Sequence, residues 1–419
     1  MPGEKRRLNE PFTIELTGMA NGGPALGRHE GRVVFVPYAL AGETVRAEIS
    51  DDRERYAFAR LLEVLEPSPD RVEPPCPYFG PRGCGGCQWQ HISYEAQLRF
   101  KAEIMADQLE RIGGVADASV LPPAPDSTGW AYRNHAQLHP AVGGGLGFRA
   151  TGSDDVVTVD ECLILHPLLG ELLGALDLEL PNLSRLSIRA GTATGETMII
   201  FETEDDVPPG LELDLPVSCV QLLSDGRHAN LIGSNFIHET VANRSYRISA
   251  PSFFQINSPQ AAVLLEKVLG YVNLQPDETV LDAYCGVGLF TAQLAPAAGL
   301  VVAIEVSAAA VDDLMENTAE FENVQIIEGS LEEALPELDI PFDVAVIDPP
   351  RSGIDRHALD ALTERSRPER IVYVSCDPAT LARDAKRLIR TGYELREVQP
   401  VDMFPQTHHV ESVACFERQ

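Results

Sequence analysis

Apolar and polar residues alternate with a period of two in four short runs near the start of the chain: 12–16, 32–37, 43–49 and 57–65. Glycine turns at Asn21-Gly22-Gly23 and Ala41-Gly42 separate them, a spacing that predicts a five-stranded barrel over residues 1–66. Pro67-Ser68-Pro69 to Pro74-Pro75 reads as a proline-rich linker that closes this module. A helical pattern follows from Tyr94 to Ile112, then a mixed, mainly β stretch to about Ala250, so residues 67–250 are expected to form a central mixed α/β domain. From residue 251 to 419 the pattern changes. Apolar runs at 279–281, 300–304, 324–327, 344–347 and 370–374 alternate with helical segments. That rhythm predicts a doubly wound, mostly parallel sheet.

Length agrees with several domains, since 419 residues exceed what one hydrophobic core usually organises. Charge changes the picture more. The net charge of −30 speaks at first against a nucleic-acid partner. Residues 1–150, however, carry 16 basic and 19 acidic side chains, whereas 151–250 carry 5 and 16, and 251–419 carry 12 and 28. Arginines 28, 32, 46, 53, 55, 60, 82 and 99 all lie in the nearly balanced first part, so the charge does not exclude a nucleic acid but marks where one is least expected to lie. Only four of the 33 basic residues are lysines, a pattern that fits either a saline cytoplasm or a GC-rich genome. The start, Met1 to Arg7, has no apolar run behind it, and the longest uncharged apolar stretch, 295–304, is about half a membrane span. A cytoplasmic protein is therefore expected, and its eight cysteines read as thiols, nucleophiles or metal ligands before disulfides.

Cys76, Cys84 and Cys87 form a C-x7-C-x2-C cluster among Gly83, Gly85 and Gly86. Tetrahedral zinc and a cubane cluster both require a fourth thiolate, for which Cys162 is the candidate; spacing leaves the two metals open.

In the last third, Asp282-Ala283-Tyr284-Cys285-Gly286-Val287-Gly288 follows the first strand and opens a helix, where glycines permit a ligand to approach the backbone. Glu305 ends the next strand, placed to accept ribose hydroxyls. No third phosphate-binding glycine appears, which suits a ligand without pyrophosphate, such as S-adenosylmethionine. Asp348-Pro349-Pro350-Arg351-Ser352-Gly353 ends the fourth strand and Ser375-Cys376-Asp377-Pro378 the fifth. Cys376 thus precedes a helix whose dipole should lower its thiol pKa, as a nucleophile requires. Glu411, in His408-His409-Val410-Glu411, is a candidate general base if the fold brings it to the same pocket.

Together the Cys376 segment, Asp348 to Gly353, the run ending at Glu411, and Phe253-Phe254-Gln255-Ile256-Asn257 resemble the RNA uracil-C5 methyltransferases. The resemblance covers essentially the whole chain and is strongest to the branch that modifies 23S ribosomal RNA. It implies an OB-like TRAM barrel at the N-terminus, a class I (Rossmann-like) methyltransferase domain at the C-terminus, and packing of the 94–112 helix on that domain. It implies a [4Fe-4S] cluster on Cys76, Cys84, Cys87 and Cys162, and S-adenosylmethionine held by Gln255, Tyr284, Glu305 and Asp348. Cys376 would add to uracil C6, Glu411 would take the C5 proton, and Phe253 would stack on the extruded base. The expected substrate is 23S ribosomal RNA, with transfer RNA and a non-catalytic RNA-binding role as alternatives. A monomer with no obligate protein partner is expected. Ser330 and Leu289 depart from common contacts of class I methyltransferases, an acidic residue for adenine and an asparagine in the glycine loop.

Overall fold

The computed structural model describes residues 10–176, 180, 182–212 and 214–419; Met1 to Arg7, read above for a leader, lie outside them. Strands β1 (Phe12–Met19), β2 (Ala25–His29), β3 (Arg32–Val36), β4 (Thr44–Asp52) and β5 (Tyr56–Glu66) close into a barrel in the order β1-β2-β3-β5-β4. Alternation explains the closure: Ile14, Leu16, Val34, Val36, Val45, Ala47, Ala57 and Ala59 all point inward. β2 is the strand the pattern missed, since its sequence, Ala-Leu-Gly-Arg-His, carries a glycine where an inward apolar residue would signal a strand. The proline-rich linker is tied back to the barrel. Arg71 pairs with Glu43, which is fully buried, and also donates to the Tyr38 carbonyl at 3.0 Å.

Helix α1 (Tyr94–Gln108) follows and ends in a wide turn through Leu109–Gly113. The central region holds β6 (His135–Pro140), β7 (Leu146–Arg149), β8 (Val156–Thr158), α2 (Pro167–Ala175), β9 (Leu183–Ala190), β10 (Thr197–Thr203), β11 (Ser218–Leu222) and β12 (His228–Ile232). These strands form one seven-stranded sheet in the order β12-β11-β10-β9-β6-β7-β8, with α2 packed on one face through Leu169, Leu172 and Leu173. A hairpin, β13 (Phe236–Val241) and β14 (Arg244–Ser249), leads into the last region.

That region contains α3 (Ser258–Val272), β15 (Thr279–Ala283), α4 (Thr291–Leu294), β16 (Leu300–Glu305), α5 (Ala308–Thr318), β17 (Val324–Glu328), α6 (Leu331–Ala334), β18 (Val344–Ile347), α7 (Arg356–Asp360), β19 (Arg370–Ser375), α8 (Pro378–Arg390), β20 (Tyr393–Val401) and β21 (Glu411–Arg418). Its seven strands run in the order β17-β16-β15-β18-β19-β21-β20, and the first five are mutually parallel. The expected Rossmann-like sheet is present, extended by the antiparallel pair β20 and β21, which βα alternation alone did not signal. Both faces are covered, as a parallel sheet requires. Val280, Val344, Val346, Val372 and Val374 join α3, the hairpin and Met198, Ile200 and Val220 of the central sheet in one core. Leu281, Ala345, Ile347, Ile371 and Tyr373 point the other way, onto α8 and onto Met105 and Leu109 at the end of α1. No helix among the described residues is long and apolar enough to cross a membrane.

Candidate active site

Strand register brings the sequence candidates to one edge. In the parallel part, Ala283 stands beside Ile304 and beside Ile347, so the next residues, Tyr284, Glu305 and Asp348, form a row at the carboxyl ends of β15, β16 and β18. In the antiparallel part, Ser375 of β19 faces Ser412 of β21. One residue further along each strand, Cys376 comes opposite Glu411. Two groups 35 positions apart in the chain thereby meet at the end of the strand next to Asp348.

The glycine loop after β15 is shaped for close approach. Tyr284, Gly286 and Gly288 all adopt positive φ, at 61°, 55° and 91°. At Gly288 an added Cβ would lie 2.5 Å from Leu314 Cδ1, so only glycine fits. Glu305 braces this loop: Oε2 accepts from the Gly286 N–H at 2.9 Å, while Oε1 accepts from Val306 at 2.9 Å and Ser307 at 2.8 Å. A carboxylate has lone pairs left for ligand hydroxyls after these bonds. Asp282 is fully buried, and Thr291 Oγ1 donates to its Oδ2 at 2.5 Å while its Oδ1 has no partner. An orphaned buried carboxylate oxygen beside a glycine cradle and a strand-end glutamate fits the polar methionine and ribose ends of S-adenosylmethionine.

The electrostatics differ from the sequence expectation at Cys376. It directly precedes α8, whose N-cap Asp377 accepts from the Thr380 N–H at 2.7 Å. The helix dipole should have lowered the thiol, but burial, reinforced by Glu411 and Asp348, pushes it up to about 12, with Arg351 opposing. Glu411 is itself only 4 % exposed, and burial with Asp348 beside it raises its carboxyl far above the usual range. Burial likewise raises Asp348, and it lifts Asp282 to about 7 against the Thr291 hydroxyl. His408 and His409 are held neutral, lowered to about 4 and about 3 by burial and then by neighbouring groups that include Arg351 and Lys101. At neutral pH the site therefore stores protons. Arg351, exposed and fixed through its carbonyl to Thr380 Oγ1 at 3.0 Å, is a nearby cation that the motif contained and that no sequence argument singled out.

Phe253 and Gln255 come from the segment between β14 and α3. Phe253 is 67 % exposed on the rim of a cavity of about 470 Å³ that also holds Cys76, Cys84, Cys87 and Cys162. Gln255 is buried, and its carbonyl accepts from Asn134 Nδ2 at 3.0 Å. Asn257, at the end of the same segment, reaches Asp126 Oδ2 at 3.0 Å and caps α3.

The [4Fe-4S] expectation is corrected. Cys76, Cys84, Cys87 and Cys162 share the cavity, but among the described residues no three Cys, His, Asp or Glu side chains come together as a group that could hold a metal ion. Burial instead keeps two of the thiols neutral, Cys84 raised to about 11 and Cys87 to about 12. Cys84 Sγ is already engaged by the Gly86 N–H at 3.4 Å.

Comparison with known proteins adds to this geometry. Residues 219–419 match the tRNA (Uracil-5-)-methyltransferase family, and residues 5–62 match the TRAM domain. An RNA methyltransferase of Halalkalibacterium halodurans is 37% identical over all of this chain and 99% of its own length. Another, of Streptomyces avermitilis, is 36% identical over 98% of this chain and 99% of its own. Among solved structures, the Pyrococcus abyssi tRNA (uracil-54, C5)-methyltransferase in complex with S-adenosyl-L-homocysteine is 28% identical, with a TM-score of 0.76 over 96% of this chain and 99% of its own. These matches overturn the expectation of a 23S ribosomal RNA substrate. The matching family is described for transfer RNA, and the chain-long similarity to a transfer RNA enzyme takes in the barrel and the cysteine loop, so neither favours a ribosomal substrate. The chain belongs to the RNA uracil-C5 methyltransferases that carry an N-terminal TRAM domain.

Proposed function

We propose that this enzyme methylates C5 of a uridine in transfer RNA through a covalent bond between Cys376 and uracil C6. The observation that carries the reading is the register that sets Cys376 opposite Glu411 at the strand end beside Asp348. S-adenosylmethionine, when bound, supplies an electrophilic methyl group; Tyr284, Glu305, Asp348 and Gln255 are the residues assigned to hold it.

Uracil C5 is too weak a nucleophile to take a methyl group unaided. Addition of the Cys376 sulfur to C6 forms the C–S bond and moves the ring's electron pair to C5 and O4. After C5 gains its methyl group it still bears a proton. Glu411, once its own proton has passed to solvent, accepts the C5 proton as a carboxylate, the electron pair returns to the ring, and the C6–S bond breaks to release Cys376 as a thiolate. The thiol is protonated in the free protein, so its proton passes to solvent as substrate takes its place, and Arg351 is the cation that favours the resulting thiolate. Phe253, an exposed aromatic, offers a face for a base drawn out of its stack.

In this reading residues 1–66 and 67–250 receive the RNA, residues 251–419 carry the chemistry, and one copy of the chain supplies every residue used. The matching family and the similar Pyrococcus enzyme are both described for transfer RNA, which makes uridine 54 the first position to examine. Mapping 5-methyluridine in transfer RNA and 23S ribosomal RNA from cells with and without this gene tests the substrate. Loss of the mark from transfer RNA is expected; loss from 23S ribosomal RNA alone would refute it.

A further inference from the structure

Glu411 opens β21, but the stretch before it, Asp402 to Val410, forms no regular element. A loop of that kind relaxes unless something fixes it. Here it is fastened by side chains from far away in the chain. Lys101 Nζ donates to Asp402 Oδ1 at 2.6 Å and to the Phe404 carbonyl at 3.0 Å. Both members of that ion pair are buried, each 1 % exposed. Tyr94 OH donates to the second oxygen, Asp402 Oδ2, at 2.8 Å. Gln97, on the same face of α1, receives the Gln406 N–H at 2.9 Å and donates to Gln406 Oε1 at 3.0 Å. Tyr132 OH reaches the Pro405 carbonyl at 3.0 Å, and Gln406 holds a left-handed φ of 66° that these bonds sustain.

A buried lysine is costly unless it is paired and its remaining hydrogens are used. Stability alone gives little reason for one, because a well-packed apolar pair of the same volume is often as stable. A buried charge pair does specify one geometry. We propose that Lys101 is a positioning residue: with Asp402 it sets the loop that leads into Glu411, and so places the carboxylate that removes the C5 proton. The proposal rests on the reading of Glu411 as that base.

Lys101→Met separates positioning from general support. The probe is a transfer RNA transcript carrying ordinary uridine, with full-length enzyme and S-adenosylmethionine. If Lys101 places Glu411, adduct formation and methyl transfer, which precede proton removal, keep their rates, and release of the methylated RNA slows. Steady-state turnover should fall roughly 10- to 100-fold, with KM for RNA falling in parallel because kcat/KM reports only the unaffected steps through methyl transfer. Denaturation-resistant protein–RNA adduct should accumulate on normal uridine. Lys101→Arg, which keeps the charge, should restore part of the turnover. Single-turnover methyl incorporation slowed as much as the steady state, or an unchanged steady state, overturns the proposal. Should Lys101→Met fail to fold, Lys101→Met with Asp402→Leu removes both charges, and wild-type turnover in that folded double variant would also overturn it. Glu411→Gln, run in parallel, distinguishes the two readings. If it turns over normally, the base assignment fails; if it accumulates adduct while Lys101→Met does not, only the positioning role fails.

Discussion

Cys376 lies beside two carboxylates, and burial together with those charges pushes its thiol up to about 12. Alkylation of Cys376 by iodoacetamide in the free enzyme should therefore be slow at pH 7 and rise roughly tenfold per pH unit up to pH 9, because the thiolate fraction does. Peptide mass mapping reads this directly; a plateau below pH 8 would show an activated thiolate instead. Asp282 gives a second test at this scale. Its folded pKa of about 7 exceeds the ordinary 3.8, so the native state holds an extra proton between those values. The stabilisation linked to that proton is complete below pH 3.8 and is lost as pH rises through 7. Asp282→Asn should therefore raise the urea midpoint at pH 8 relative to pH 5, compared with wild type; an unchanged pH dependence would mean that Asp282 is ionised when folded. The motif exposed Cys376 in the sequence but not its resting state, because the dipole argument saw only α8. The opposing carboxylates arrive from β18 and β21, which sequence distance hides.

Among the elements, β15 to β19 were legible because each apolar run is short and followed by a helical segment, and all but the edge strand β17 are largely buried. β2 and the antiparallel pair β20 and β21 were not. In β20, Glu394, Arg396 and Glu397 interrupt the apolar pattern, since the edge of the sheet tolerates charge. Missing β21 concealed why Glu411 matters, since its position follows from pairing with β19. Lys101 had a visible signal: a rare lysine on the helical face shared by Gln97, Ile104 and Met105, all buried. The glycine loop provides the prediction at this scale. Gly288→Ala would force a Cβ against Leu314 at φ 91°. A loop that relaxes from this strain must be restored on binding, so affinity for S-adenosylhomocysteine should fall roughly tenfold. Titration calorimetry checks this, and wild-type affinity would mean that the loop does not shape the cofactor site.

Over the whole molecule, the charge of −30 coexists with an RNA substrate because the barrel and its surroundings are nearly balanced. Arg28 and Arg55 are exposed on the barrel and stand outside every ion pair among the described residues. If phosphates lie there, replacing each with alanine should weaken transfer RNA binding and reduce the slope of log affinity against log salt by about 0.7–0.9. Filter binding over a salt series measures it, and an unchanged slope would move the RNA to another face. The central claim is covalent catalysis by Cys376, and its most direct measurement is adduct formation with transfer RNA that carries 5-fluorouridine, whose fluorine cannot leave as a proton. In the presence of S-adenosylmethionine, wild-type enzyme should give a protein–RNA species that survives denaturation, and Cys376→Ala should give none. An equal yield of adduct from Cys376→Ala would contradict the account.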